Sequence, residues 1–234
     1  MAEAIDFDAV SAARGLEDLV RASADANEAQ RHLSADVARA FARDGLYRVA
    51  APRDCGGSEQ PPDVQIEVIE TIARMDGSAA WNLMIGIETF GLLALTIEAG
   101  AELFADPMTV VASSTAAIGT ARKVVGGYRV TGRWQFVSGV HNSQVFAGLV
   151  RREVDGEPEF GRTPVYAVVQ QPDYHIVDTW HVGGMRGSGS HDVEVDDVFV
   201  PDAHMGVPSA EWRRTVVEPT PLLQVPLTMR LSYN

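Results

Sequence analysis

Apolar positions in the first hundred residues recur at helical spacing. Val10, Ala13, Leu16, Leu19 and Val20 share one face of a helix. Ser34 can cap a second helix, whose apolar face is Val37, Ala40 and Phe41 and which ends near Gly45. Residues 47–61 hold two prolines and two glycines and read as loop. Val64, Ile66, Val68, Ile69, Ile72 and Met75 then give a third, strongly apolar helix. Asp76-Gly77-Ser78 breaks that pattern, and a long helix over 79–97 follows, with Trp81, Met84, Ile85, Leu92 and Leu93. It is apolar nearly all round, which predicts burial between other helices or subunits. A short helix over 101–104 ends at Pro107.

Beyond Pro107 the period changes to two. Val110-Val111-Ala112 is one strand candidate. Lys123-Val124-Val125, Gly126-Gly127 and Tyr128-Arg129-Val130 read as a hairpin, because Gly-Gly supplies the positive φ of a two-residue turn. Further strands fit 146–151, 165–170 and 193–200, and short strands with turns between them predict a small barrel or sandwich. From Pro201 the chain is punctuated by prolines, and 227–231 looks like the first turns of another helix.

Composition narrows the function classes. Apolar residues make up 46% and charged residues 22% of the 234, enough to bury a core and to exclude a mainly disordered chain. The net charge of −13 is spread without a long run, which repels phosphate backbones and reads as solubility. The single cysteine, Cys55, permits no internal disulfide and fits a reducing cytoplasm. It sits in a turn-like stretch with no His-plus-Asp framework and reads as structural. The acidic start lacks the basic and apolar blocks of a signal peptide. The longest apolar stretch, 90–97, falls far short of the roughly 20 residues of a membrane span.

Several chemistries lack their motif. No Gly-x-Gly-x-x-Gly, Walker loop or Gly-x-Ser-x-Gly is present, and the six histidines show no zinc-ligand spacing. Three segments remain. In the stretch from Val130 to Gly139, Phe136 stands two before Ser138. On an extended strand that spacing puts both side chains on one side, as a wall and a hydrogen-bonding group for a flat ring would require; an ordinary sheet pair has the same pattern. Ser113-Ser114-Thr115-Ala116-Ala117-Ile118-Gly119-Thr120-Ala121 is a small, hydroxyl-rich loop whose backbone could approach a pyrophosphate or flavin edge, or a plain surface turn. Trp180-His181-Val182-Gly183-Gly184-Met185-Arg186-Gly187-Ser188-Gly189-Ser190 demands special backbone geometry and precedes a clear strand ending at Pro201.

Together and in this order, these segments resemble the acyl-CoA dehydrogenase superfamily. The resemblance covers nearly the whole chain and implies an α+β fold. An all-helical N-terminal domain (1–107) is followed by a small antiparallel β-barrel (108–205). The linker and first turns of a C-terminal four-helix domain (206–234) are then cut short. Phe136-Val137-Ser138 falls where the family has a Trp-Ile-Thr stretch lining the flavin, and 114–121 where family dehydrogenases carry Thr-Glu-Pro and then Gly-Ser-Asp. The resemblance therefore implies cofactor binding by Ser114, Thr120, Phe136, Val137, Ser138, Trp180 and Ser188, with Ser138 as the catalytic group. Thr115 and Ala116 in place of Glu-Pro, and Ala121 in place of Asp, depart from the dehydrogenases. Gly126-Gly127-Tyr128, Asp76-Gly77-Ser78-Ala79-Ala80-Trp81 and Gly187-Ser188-Gly189-Ser190 look instead like the two-component flavin monooxygenases. Those use reduced FMN or FAD from a separate reductase, with O₂, to hydroxylate aromatic or related substrates.

This branch implies a cytoplasmic homo-oligomer, tetrameric in the full-length family, with no metal, nucleic acid or membrane. An FAD-dependent acyl-CoA dehydrogenase and a non-catalytic remnant are the alternatives. His141 reads as a substrate-facing or a solvated loop histidine, Trp180 as cavity wall or barrel packing, and Arg186 as a ligand to an anion or half of a surface ion pair.

Overall fold

A computed structural model describes residues 7–206 apart from Glu98 and Gly161. The expected linker and helix after residue 206 lie outside the described residues. Helices α1 (Ala9–Arg14), α2 (Glu17–Gln30), α3 (Ala35–Arg43), α4 (Pro62–Ala73), α5 (Gly77–Thr96) and α6 (Gly100–Leu103) come first. Strands β1 (Val111–Val124), β2 (Gly127–Val137), β3 (Val145–Val154), β4 (Glu157–Pro158), β5 (Val165–Gln170), β6 (His175–Val177), β7 (His191–Pro201) and β8 (Met205–Gly206) follow. None of the described helices is long and apolar enough to cross a membrane.

The helical half follows the apolar pattern with local differences. The expected first helix is two helices, because the chain turns at Gly15 and Leu16 before α2 begins. Ser34 caps α3, its side chain accepting the Val37 N–H. Asp76 caps α5 in the same way, so the apparent break at Asp76-Gly77-Ser78 is the start of that helix, two residues earlier than expected. The loop over 47–61 contains two 3-10 turns, Leu46–Arg48 and Arg53–Cys55. Cys55 is buried beside Ala94. The first half of α5 packs into the helical core through Leu83 and Ile87. Its second half packs Phe90 and Leu93 against Val145, Ala147 and Tyr166 of the sheet. Burial of an all-round apolar helix is thus met within the chain on most of its circumference.

The strands form one eight-stranded sheet in the order β6-β7-β2-β1-β3-β5-β8, with β4 beside β3. Valines of β5 and β7, well separated in that order, share one core, so the sheet curls around its own interior. Every pairing is antiparallel except β1 with β3, which run parallel, so the expected antiparallel sheet carries one parallel seam. The chain ascends β1, turns, descends β2, and crosses beneath β1 through residues 138–144 to begin β3 at the end where β1 began. That crossing brings Ser138 under the start of β1.

Two sequence expectations change here. The hairpin forms, but its turn residues are Val125 and Gly126. Gly126 supplies the positive φ, +78°, whereas a Cβ on Gly127 would lie 2.2 Å from the Val200 carbonyl oxygen. The stretch from Ser113 to Ala121 is not a loop. It belongs to the fourteen-residue β1, irregular between Ser114 and Gly119.

Trp134 fills the centre of the curled sheet. It is fully buried, stacks edge-on to Phe146 with centroids 5.2 Å apart, and donates its N–H to the Leu149 carbonyl at 2.9 Å. Glycines flank the indole: a Cβ on Gly119 would lie 2.1 Å from it and one on Gly148 2.6 Å. Gly148→Ala should therefore destabilise the chain by about 1–3 kcal/mol through overpacking. Trp134→Phe in that background should recover part of the loss, since the two changes act on one contact. Urea unfolding of the single and double variants measures both.

Candidate functional site

A cavity of about 520 Å³ lies between α5, the first residues of β1, the end of β2 and the 180–190 segment. Helix α5 contributes Trp81, Ile85, Glu88, Thr89 and Leu92, which repeat at the spacing of one helix face. Opposite stand Ser113, Ser114, Phe136, Ser138, Trp180, Met185, Ser188 and Ser190.

A chain of hydrogen bonds runs through one end. Trp81 donates its indole N–H to the Ser138 hydroxyl at 2.9 Å. Ser138 and Ser190 share a bond of 2.8 Å, and Ser190 and Ser188 another of 2.8 Å. Three hydroxyls making two mutual bonds leave one O–H unspent, at Ser138, Ser188 or Ser190 according to the direction of the bonds. In each case the buried chain keeps one proton donor at the cavity. Asn82, the next residue on α5, donates its amide to the Ser78, Gly187 and Ser188 carbonyls at 2.9, 3.3 and 3.3 Å. This fixes the helix to the loop that carries Ser188 and Ser190.

Phe136 does not follow the extended strand. Its φ is +59°, the pairing of β2 with β7 shifts between Trp134 and Val137, and its ring is 67% exposed at the cavity. The same-side argument for Phe136 and Ser138 therefore fails locally, yet the bulge still delivers both to one cavity. A bulky residue in the left-handed region is costly and clusters at functional sites. Trp180 meets the Phe136 ring edge-on, centroids 6.2 Å apart, so it is cavity wall and not barrel packing.

Of the residues singled out in the sequence, Ser114, Phe136, Ser138, Trp180 and Ser188 line the cavity. Two do not. Val137 is fully buried in the barrel core, so only its backbone can face the site. Thr120 lies beyond the irregularity of β1, paired with Thr131 and Arg151, away from the cavity lining. Arg186 makes no ion pair among the described residues, against the surface-pair expectation. His141 is an exposed loop histidine outside the cavity lining, but it is not alone: it stacks on His32 with ring centroids 4.3 Å apart and meets His191 edge-on at 4.8 Å.

That histidine seam positions Trp180. The His191 Nδ1 accepts the backbone N–H groups of Thr179 and Trp180 at 3.2 and 3.3 Å, and its Nε2 faces the Arg31 carbonyl at 3.2 Å. With Nδ1 accepting, the proton belongs on Nε2 and the ring is neutral. Arg31 grips Asp178 with two bonds, 2.5 and 2.7 Å, and donates to the Trp180 carbonyl at 3.1 Å. Arg31 and His191 were invisible in the sequence, being 160 residues apart. Glu88 was hidden inside an apolar run, although a lone acid there was itself a signal.

No family model matches the chain. It is 37% identical over 173 residues to an indole-3-acetate monooxygenase of Pseudomonas putida, covering 73% of this chain and 43% of that protein. It is 32% identical over 203 residues to HsaA of Mycobacterium tuberculosis, the oxygenase subunit of a flavin-dependent monooxygenase, covering 83% of this chain and 50% of that one. Among solved structures, XiaF from Streptomyces sp. in complex with FADH2 and glycerol matches with a TM-score of 0.83 and 27% identity, over 96% of this chain and 57% of that one. The HsaA monooxygenase from M. tuberculosis matches with a TM-score of 0.76 and 30% identity, over 85% of this chain and 52% of that one. The chain spans about half the length of the curated relatives it matches.

The seam carries a pH dependence. Burial, then the neighbouring His32 and His191, pushes the His141 pKa from 6.5 down to about 4, with Asp178 opposing and Arg31 adding to the shift. His191 is lowered as well, chiefly by burial. Groups whose folded pKa is depressed favour the deprotonated form, so their contribution is full above about 6.5 and is lost as pH falls toward 4. Asp178, held near 2 by its hydrogen bonds from Arg31, stays ionised across that window. The unfolding free energy should therefore decline from pH 6.5 to 4, and His141→Phe, which keeps a stacked ring without a proton, should flatten the decline. An unchanged slope in His141→Phe refutes the assignment.

Proposed function

By sequence and fold this chain belongs to the acyl-CoA dehydrogenase-like flavin-dependent monooxygenases, and from that we propose that its cavity binds reduced flavin and a small aromatic substrate for hydroxylation with O₂. The observation that carries this is Phe136. An exposed aromatic ring in a left-handed backbone, beside Trp180 and above a buried hydroxyl chain, suits a flat ring with one polar edge. A bound flavin would supply the activation of O₂ and deliver one oxygen atom.

The chain's own residues do the rest. Phe136 and Trp180 wall the ring, and Ser138 addresses its polar edge. Trp81 holds the Ser138 oxygen by its N–H, and the Ser190 and Ser188 hydroxyls orient the proton that Ser138 presents. Ser114 adds a hydroxyl beside Gln135. Ile85 and Leu92 on α5 give the apolar side against which a substrate packs. A separate reductase supplies reduced FMN or FAD, and the protein works as a homo-oligomer in the cytoplasm. The relatives' monooxygenase activities favour this over acyl-CoA desaturation.

Anaerobic titration with reduced FMN and reduced FAD tests the reading. The wild-type chain should bind at least one of them, and Phe136→Ala should weaken binding about tenfold through loss of the aromatic wall. Ser138→Ala should keep most of the affinity while, with O₂, a reductase and a phenol present, more hydrogen peroxide and less hydroxylated product form. A chain that binds neither reduced flavin overturns the proposal.

A further inference from the structure

The end of the cavity away from the hydroxyl chain has its own polar group. Glu88 is 4% exposed and lines the cavity from α5. It stands seven residues after Trp81, about 10 Å along the helix axis at 1.5 Å per residue. Between them on the same face lies Ile85, and beyond it Leu92. Beside it, Thr89 and Ser113 bond to one another at 2.7 Å, a side-chain bridge between α5 and β1 that closes this end. The cavity thus has two polar poles with an apolar stretch between, and among the described residues Glu88 is the single acidic side chain in its lining.

We propose that Glu88 orients the substrate, its carboxyl accepting the O–H or N–H of a small phenol- or indole-like ring. The opposite edge of that ring then points toward the hydroxyl pole. A carboxylate carries two oxygens and about four acceptor positions, so it can serve a ligand as well as a neighbour within the protein. In a mostly apolar cavity such a bond discriminates, because an analogue without the donor displaces water from the carboxyl and returns no bond for it. The same carboxyl disfavours a substrate that brings a carboxylate to this pole, since two acceptors would then face one another with no proton between them. The inference rests on the flavin monooxygenase reading only for the fate of the substrate; the binding preference stands independently of it.

The test uses phenol, anisole and benzoate as probes, with binding followed by quenching of tryptophan fluorescence, since Trp81 and Trp180 both line the cavity. The wild-type chain should bind phenol about tenfold or more tighter than anisole, which lacks the donor, and should exclude benzoate. Glu88→Leu should erase the preference for phenol. Glu88→Gln, nearly isosteric and uncharged, should keep part of that preference and admit benzoate. A wild-type chain without the phenol preference, a preference intact in folded Glu88→Leu, or benzoate still excluded from Glu88→Gln overturns the proposal. Flavin titration of the wild-type chain is a separate experiment: failure to bind flavin removes the monooxygenase reading and leaves the phenol–anisole comparison to decide Glu88.

Discussion

The first turns of α5 are held against the barrel by the buried amide of Asn82 and the indole N–H of Trp81. The amide reaches across to the Gly187 and Ser188 carbonyls, while the indole reaches the Ser138 hydroxyl. Each such bond is worth about 1 kcal/mol net, but an unmade one leaves a buried group at a cost of 1–3 kcal/mol. The helix therefore has one permitted position relative to the 187–190 loop. With the helix fixed, the cavity acquires its apolar wall, its hydroxyl chain and its acidic pole. Were α5 to slide along its axis, all three would be lost together.

The sheet supplies the other half of this arrangement through its connectivity. Since β1 lies between β2 and β3, the chain has to pass under the start of β1 on its way from one to the other. Ser138 sits on that passage, and Ser113 and Ser114 sit at the start of β1 above it. Trp134 anchors β2 just before the crossing, and Phe136 takes the strain of leaving the strand. Rigid packing two residues before the site thus makes the left-handed conformation at Phe136 tolerable.

Much of this was legible from the chain alone, for physical reasons. Apolar periodicity located α3, α4, α5 and the main strands, because burial on one face leaves a strong signal. It failed at Gly15, where two short helices share an apolar stripe that reads as one. It failed again over 113–121, where small polar residues look like a loop but extend β1. Resemblance brought Ser114, Phe136, Ser138, Trp180 and Ser188 to the cavity, while the side chains of Thr120 and Val137 lie off its lining, since a motif aligns residues without saying which way each side chain turns. Arg31, His191 and the His32–His141 stack depend on contacts between distant segments that no local pattern encodes.

The parallel pairing of β1 with β3 has a consequence for assembly. The β1–β2 hairpin is local and can zip on the microsecond scale, while the other edge of β1 waits for a partner about thirty residues further on. Until that partner arrives, β1 presents an open row of backbone donors and acceptors, the kind of edge that recruits foreign strands. The serines, threonine and alanines of its first half, with Arg122 and Lys123 near its far end, make it a poor template for such pairing. Small hydroxyl side chains that leave room at the cavity in the finished protein thus also guard a nascent edge from aggregation.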